Sequence, residues 1–170
     1  MKNIILIGFM GTGKSTVARL LAAKLKRRYV DTDKEIEELT GKTVARLINE
    51  QGIVRFRSEE TLMLKKLSSR QGLVIATGGG APLSPENRRL LRETGILISL
   101  SASPEVIYER VKRKKKDRPL LAKGDLKEQI TKLMEERREI YQIADFTVDT
   151  GAGSIEETIK TITDWLATEK

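Results

Sequence analysis

GFMGTGKST, residues 8–16, follows directly on the apolar run Ile4, Ile5, Leu6 and Ile7. Gly8, four residues, then Gly13, Lys14 and Ser15 fit GxxxxGK[ST], and the flanks fit as well: a strand-like run before, an amphipathic helix pattern after. Glycines at these positions let successive backbone amides turn inward, and the helix N-terminus adds partial positive charge. Lys14 has the length to reach the outer phosphates of a nucleoside triphosphate, and Ser15 supplies a hydroxyl for magnesium. The alternative is a plain glycine-rich turn, which needs neither the lysine nor the serine.

Outward from this loop, strand-like and helix-like segments alternate. Val17, Leu20, Leu21 and Leu25 recur at helical spacing, and Tyr29 and Val30 form a short strand before Asp31. Residues 33 to 68 read as helical pieces broken by Gly41 and Gly52, and Leu73 to Ala76 as a strand ended by Gly78, Gly79 and Gly80. Ser84-Pro85-Glu86 and Ser103-Pro104-Glu105 each set a capping hydroxyl before a first-turn proline, with a strand over Ile96 to Leu100 between the two helices. Leu126 to about Ile143 is expected as one long helix, Phe146 to Val148 as the last strand, and Ser154 with Glu157 as the capping box of a final helix. Strands with helical crossovers imply a parallel sheet covered on both faces, in an α/β chain whose ligands lie beyond the carboxyl ends of the strands.

At 170 residues with 39% hydrophobic content the chain supports one packed core, so residues 1–170 are expected as a single domain. No apolar window approaches the ~18 residues of a membrane span, and the short apolar start has no cleavage signal behind it. The expectation is a cytoplasmic protein with no membrane partner. Without cysteine there are no disulfides or thiolate metal sites, and without histidine any proton acceptor is a carboxylate, lysine or tyrosine. Net charge is +8, concentrated in part in Lys112 to Lys116 (KRKKK). Such a run is either a solvated segment or an anion-binding one; with three Phe, three Tyr and one Trp there is little for stacking bases. The high charge content also suits a heat-adapted source.

The acids and arginines then suggest what happens to the phosphate. No NKxD for guanine and no motor-type Asp-Glu pair is present. In VDTD, Asp31 and Asp33 sit on alternate positions, so both side chains are expected to project from one edge toward the phosphates. One carboxylate then holds the magnesium shell while the other takes a proton from an attacking hydroxyl; alternatively, Asp33 merely caps the next helix. Leu126, Ile130, Leu133, Arg137 and Tyr141 follow spacings of three and four, which puts Arg137 on the inward stripe. Arg57 has Glu60 one helical turn later to orient it. Two such arginines suit a small carboxylate held bidentately, or else two structural ion pairs.

GFMGTGKST, DTD at 31–33, Phe56-Arg57, ATGGGA at 76–81, DRPLL at 117–121 and ERREIY at 136–141 stand in an order and spacing that resemble the shikimate kinases. The likeness covers essentially the whole chain. It implies a three-layer α/β/α P-loop NTPase fold with a central, mostly five-stranded parallel sheet, a substrate-binding region at about 33–60 and a mobile lid at about 113–124. It further implies ATP-dependent phosphorylation of the 3-hydroxyl of shikimate, on the way to chorismate and the aromatic amino acids, by a monomer using Mg²⁺ and no nucleic acid. On that resemblance Gly11, Thr12, Gly13, Lys14, Ser15, Thr16, Arg110 and Arg118 bind ATP. Ser15 and Asp31 attend the metal; Asp33, Arg57, Gly78, Gly79, Gly80 and Arg137 bind shikimate. Asp33 is the base, with Lys14 and the lid arginine Arg118 as its catalytic partners.

Two departures accompany the likeness. The loop after the last strand is Thr150-Gly151-Ala152-Gly153, with no basic residue to pack on adenine, so the base is expected to lean on Arg110 and on backbone. Lys114 to Lys116 have no assigned role. The rival readings are another small P-loop kinase, acting on gluconate or a nucleotide, and a nucleic-acid-stimulated ATPase using the basic run.

Overall fold

The computed structural model describes residues 1–112 and 125–169. Five strands, β1 (Asn3–Gly8), β2 (Arg28–Asp31), β3 (Leu73–Ala76), β4 (Gly95–Ser101) and β5 (Phe146–Asp149), form one sheet in the order β2-β3-β1-β4-β5. Every pairing is parallel, as expected for strands joined by helical crossovers. β1 lies at the centre, and all six of its residues are buried, as a strand covered on both faces requires.

The pleat sorts the core into two. Ile5, Ile7, Val30, Ile75 and Leu97 face the helices α2 (Thr32–Thr40), α3 (Val44–Gln51), α4 (Ile53–Ser68) and α5 (Pro85–Thr94). Ile4, Leu6, Val74, Ile98 and Leu100 face α1 (Lys14–Leu25) and α8 (Ile155–Thr168). A third cluster joins Phe9 to α6 (Pro104–Val111) and α7 (Leu126–Arg137) through Ile107, Val111 and Ile130.

Local chemistry fixes the helix starts. Side chains of Asp31, Thr43, Ser84, Ser103, Asp125 and Ser154 accept first-turn amides, the last in a full capping box with Glu157. It is Asp31, accepting from the amides of Asp33 and Lys34, that caps α2, not Asp33. The helix expected to run from Leu126 to about Ile143 stops at Arg137 and continues as a 3₁₀ turn over Glu139–Ile143. The amide of Arg138 bonds back to the Glu135 carbonyl, the three-residue spacing with which helix ends tighten.

Parallel register sets the ends of β1, β2 and β3 level: Asp31 pairs with Ala76 and Ala76 with Leu6. Three turns, 8–13, 31–33 and 77–80, therefore open on the same side of the sheet. The lid expected at 113–124, and Arg118 within it, lie outside the described residues. No helix among the described residues is long and apolar enough to cross a membrane.

Leu21 is fully buried where α1 meets the sheet. Leu21→Ala is expected to cost about 2–5 kcal/mol of folding free energy by leaving a cavity, read as a lower denaturation midpoint at unchanged slope.

Candidate active site

The loop after β1 is held open by its glycines. Gly8, Gly11 and Gly13 all have positive φ, and a Cβ on Gly8 would run into the Leu100 carbonyl of β4. Gly13 is also the N-cap of α1, where no side chain accepts the first-turn amides. Those donors are left for an anion at the helix end. Lys14, 8% exposed, donates from Nζ to the carbonyls of Gly8 (2.9 Å) and Phe9 (2.8 Å), so its ammonium lies across the loop it belongs to. Thr12 ties the loop internally by donating to the Phe9 carbonyl at 2.8 Å. Ser15 and Thr16 follow, exposed, in the first turn of α1.

Asp31 and Asp33 do not share one direction. Asp31 leaves the end of β2 and turns to α1, accepting from Ser15 Oγ at 2.6 Å and from the Tyr29 hydroxyl at 3.1 Å. Burial, reinforced by Asp31, pushes the Tyr29 phenol up to about 12, so it remains a donor to that carboxylate. Asp33 belongs to the first turn of α2 and turns the other way, toward the glycines after β3. The strand spacing fails because the chain becomes helical at Thr32, which rotates the two carboxylates apart. A hydroxyl and a carboxylate 2.6 Å apart are hard oxygen donors of the kind Mg²⁺ takes, so Ser15 and Asp31 fit that ion.

Gly78, Gly79 and Gly80 each make room for something different. A Cβ on Gly78 would stand 2.8 Å from both Asp33 Oδ1 and Glu60 Oε1. A Cβ on Gly80 would collide with the Arg57 guanidinium, and one on Gly79 would press on the amide of Met10 at 3.2 Å. The glycine turn is thus packed onto the loop after β1, with Arg57 lying against it. Arg57 pairs with Glu60, which is 1% exposed, as the spacing on α4 predicts.

Arg137 is 7% exposed at the end of α7, its guanidinium 5.9 Å from the centre of the Phe9 ring. The helix phase therefore has it facing inward, beside the phosphate loop. Arg57 and Arg137 converge: both act electrostatically on Glu60 and on the Tyr141 hydroxyl. Tyr141 donates to the Gly79 carbonyl at 2.6 Å, and burial pushes its phenol up to about 12. In the sequence Tyr141 stands on the apolar stripe and at the end of ERREIY with no role in the site; the 3₁₀ turn is what carries it to Gly79.

Asp33 Oδ1 and Glu60 Oε1 are buried and without hydrogen-bond partners among the described residues. Burial first, then Glu60 and Asp31, push the Asp33 carboxyl up to about 7 against the pull of Lys14. Glu60 is raised as well, by burial, with Arg57 opposing. A carboxyl poised near neutrality, set beside Glu60 at the glycine turn and within the field of Lys14 of the loop after β1, is equipped to take a proton from a hydroxyl. Arg110 lies on the opposite flank of the phosphate loop, on α6, and donates to the Gly11 carbonyl at 3.2 Å.

A family model described as shikimate kinase matches residues 10–167. A shikimate kinase of Pelotomaculum thermopropionicum is 55% identical over 166 residues, covering 98% of this chain and 96% of its own. The solved structure of a shikimate kinase from Acinetobacter baumannii in complex with shikimate is 37% identical with a TM-score of 0.95, covering 100% of this chain and 95% of that one. A gluconokinase from Sinorhizobium meliloti, 17% identical with a TM-score of 0.60 and covering 98% of this chain and 92% of its own, shares the fold alone.

The Asp33 carboxyl carries a stability consequence. In the unfolded chain it titrates near ~3.9, so the folded protein holds a proton there that the unfolded one has already lost. Its contribution is complete below about pH 4 and disappears as pH rises through about 7. Asp33→Asn is expected to raise the Tm at about pH 8.5 and to change it little at about pH 4.5. A Tm difference that is the same at both pH values contradicts the raised carboxyl.

Proposed function

We propose how the residues of this chain, which belongs to the shikimate kinase family, divide the transfer of the ATP γ-phosphate to the 3-hydroxyl of shikimate. The observation that carries the division is the divergence of Asp31 and Asp33, one toward Ser15 and the other toward the glycine turn. The amides of Gly11, Thr12 and Gly13, the first turn of α1 with Ser15 and Thr16, and Lys14 hold the phosphates. Lys14 leaves its resting contacts with Gly8 and Phe9 for the phosphate oxygens. Ser15 and Asp31 hold Mg²⁺, which neutralises phosphate charge when bound.

On the other side of the loop Arg57 and Arg137 take the shikimate carboxylate, and the glycine turn receives its ring. Asp33 accepts the proton of the 3-hydroxyl as the oxygen of that hydroxyl bonds to the γ-phosphorus; the bond from phosphorus to the β,γ-bridging oxygen breaks and ADP departs. Positioning and charge neutralisation supply most of the acceleration in such a transfer.

The reading includes a monomer working in the cytoplasm, with shikimate and ATP as its partners and no nucleic acid. Gluconate is the rival acceptor, a polyhydroxy carboxylate that the same arginines and aspartate would tolerate by chemistry alone. ADP release measured with shikimate, gluconate, AMP and CMP decides between acceptors; turnover with gluconate alone ends the shikimate reading.

Asp33→Asn is expected to keep ADP affinity and to lose at least 100-fold in kcat, the low end of the ~10² to 10⁴ that general-base catalysis supplies. Near-normal turnover removes Asp33 from the base role. Arg137→Ala is expected to raise the shikimate KM more than about tenfold, by loss of a charge-assisted pair, while ADP binding by the free protein survives. Collapse of ADP binding instead assigns Arg137 to the nucleotide side.

A further inference from the structure

The outward carbonyls of the phosphate loop need partners, because turning the amides inward turns the carbonyls out. Thr150, the residue after β5, supplies one of them. It is 7% exposed, and its Oγ1 lies 2.8 Å from the Thr12 carbonyl and 3.1 Å from that of Ser101. The Thr150 amide already bonds the Ser101 carbonyl at 2.8 Å, so the single hydroxyl proton goes to Thr12.

The lone pairs of the same hydroxyl accept from Arg110 Nη1 at 3.0 Å, while Nη2 donates to the Thr150 carbonyl at 2.6 Å and Nη1 also reaches the Gly11 carbonyl. The guanidinium fork is consequently held edge-on by Thr150 and the back of the phosphate loop. Among the described residues no aromatic ring lies on its flat faces, and the residue is otherwise exposed. α6 is seated against the loop by packing as well: a Cβ on Gly11 would stand 2.8 Å from Val111 Cγ1.

We infer that Thr150 is the positioning residue for nucleotide-base recognition, its hydroxyl fixing the plane of Arg110 so that a purine stacks on the guanidinium face beside the phosphate loop. A planar cation held at its edges stacks on an aromatic base without losing further rotamer freedom. This gives the loop Thr150-Gly151-Ala152-Gly153 a way to serve the base without a cation of its own: it borrows Arg110 from α6. The inference rests on the ATP reading of the phosphate loop, and requires nothing of shikimate.

The test compares Thr150→Val, which keeps shape and removes the hydroxyl, with Thr150→Ser, which restores it. Calorimetric titration with ADP and with pyrophosphate separates base from phosphate. Thr150→Val is expected to weaken ADP about tenfold, the loss of a hydrogen bond to a charged group, and pyrophosphate less than about twofold; Thr150→Ser stays within about twofold of the parent for both. In an Arg110→Ala background the valine change is expected to weaken ADP by no more than the less than about twofold seen with pyrophosphate, since only its contact with the Thr12 carbonyl is then left to lose. Equal losses for ADP and pyrophosphate, an undiminished loss without Arg110, or unchanged ADP affinity in a folded Thr150→Val protein each overturn the inference. Turnover of the parent protein with shikimate is assayed separately, so failure of the acceptor reading leaves the ADP comparison standing.

Discussion

The parallel register of β1, β2 and β3 is the constraint on which the site depends. Asp31, Ala76 and Leu6 lie in one row across the sheet, and whatever follows them is delivered to one rim. A slip of one residue in β2 would send Asp31 to the other face of the pleat, away from Ser15. The burial of Val30 resists such a slip, because it would take that side chain out of the cluster in which it packs. Packing apolar side chains thus sets the distances between groups that are all polar.

On that rim the phosphate and acceptor halves are built from shared parts. Phe9 lies between them, its carbonyl taken by Thr12 and Lys14 and its ring beside Arg137. The glycine turn closes the gap: Gly79 presses on Met10 while Tyr141 holds its carbonyl, and Gly78 and Gly80 leave space for Asp33 and Arg57. Burying Asp33 and Glu60 with oxygens that lack partners among the described residues is unfavourable for folding, yet it is the same burial that brings Asp33 into the range of a neutral-pH base.

Much of this was legible in the chain, and for identifiable reasons. The phosphate loop, the caps at Ser84, Ser103 and Ser154, the Arg57 to Glu60 pair and the inward phase of Arg137 are local patterns, decided within a turn or a few residues. What escaped the sequence depends on contacts across it. The divergence of Asp31 from Asp33 follows from where α2 begins, and the raised Asp33 carboxyl from its burial, reinforced by Glu60 arriving on another helix. Tyr141 meets Gly79 across 62 positions and Thr150 meets Thr12 across 138, and only after a 3₁₀ turn and a strand order that periodicity does not specify. Lys114 to Lys116, which the sequence leaves without a role, lie outside the described residues, while Lys112 at the head of the basic run pairs with Glu109.

On the proposed division, two carboxylates two residues apart serve different partners, Asp31 the metal side and Asp33 the acceptor. A crystal structure of the protein with ADP, magnesium and shikimate tests it most directly. The shikimate 3-hydroxyl is expected within hydrogen-bonding distance of Asp33 and the shikimate carboxylate on Arg57 and Arg137, with Ser15 and Asp31 turned to the ion. A 3-hydroxyl bonded elsewhere, with Asp33 turned to the ion in place of Asp31, would contradict it.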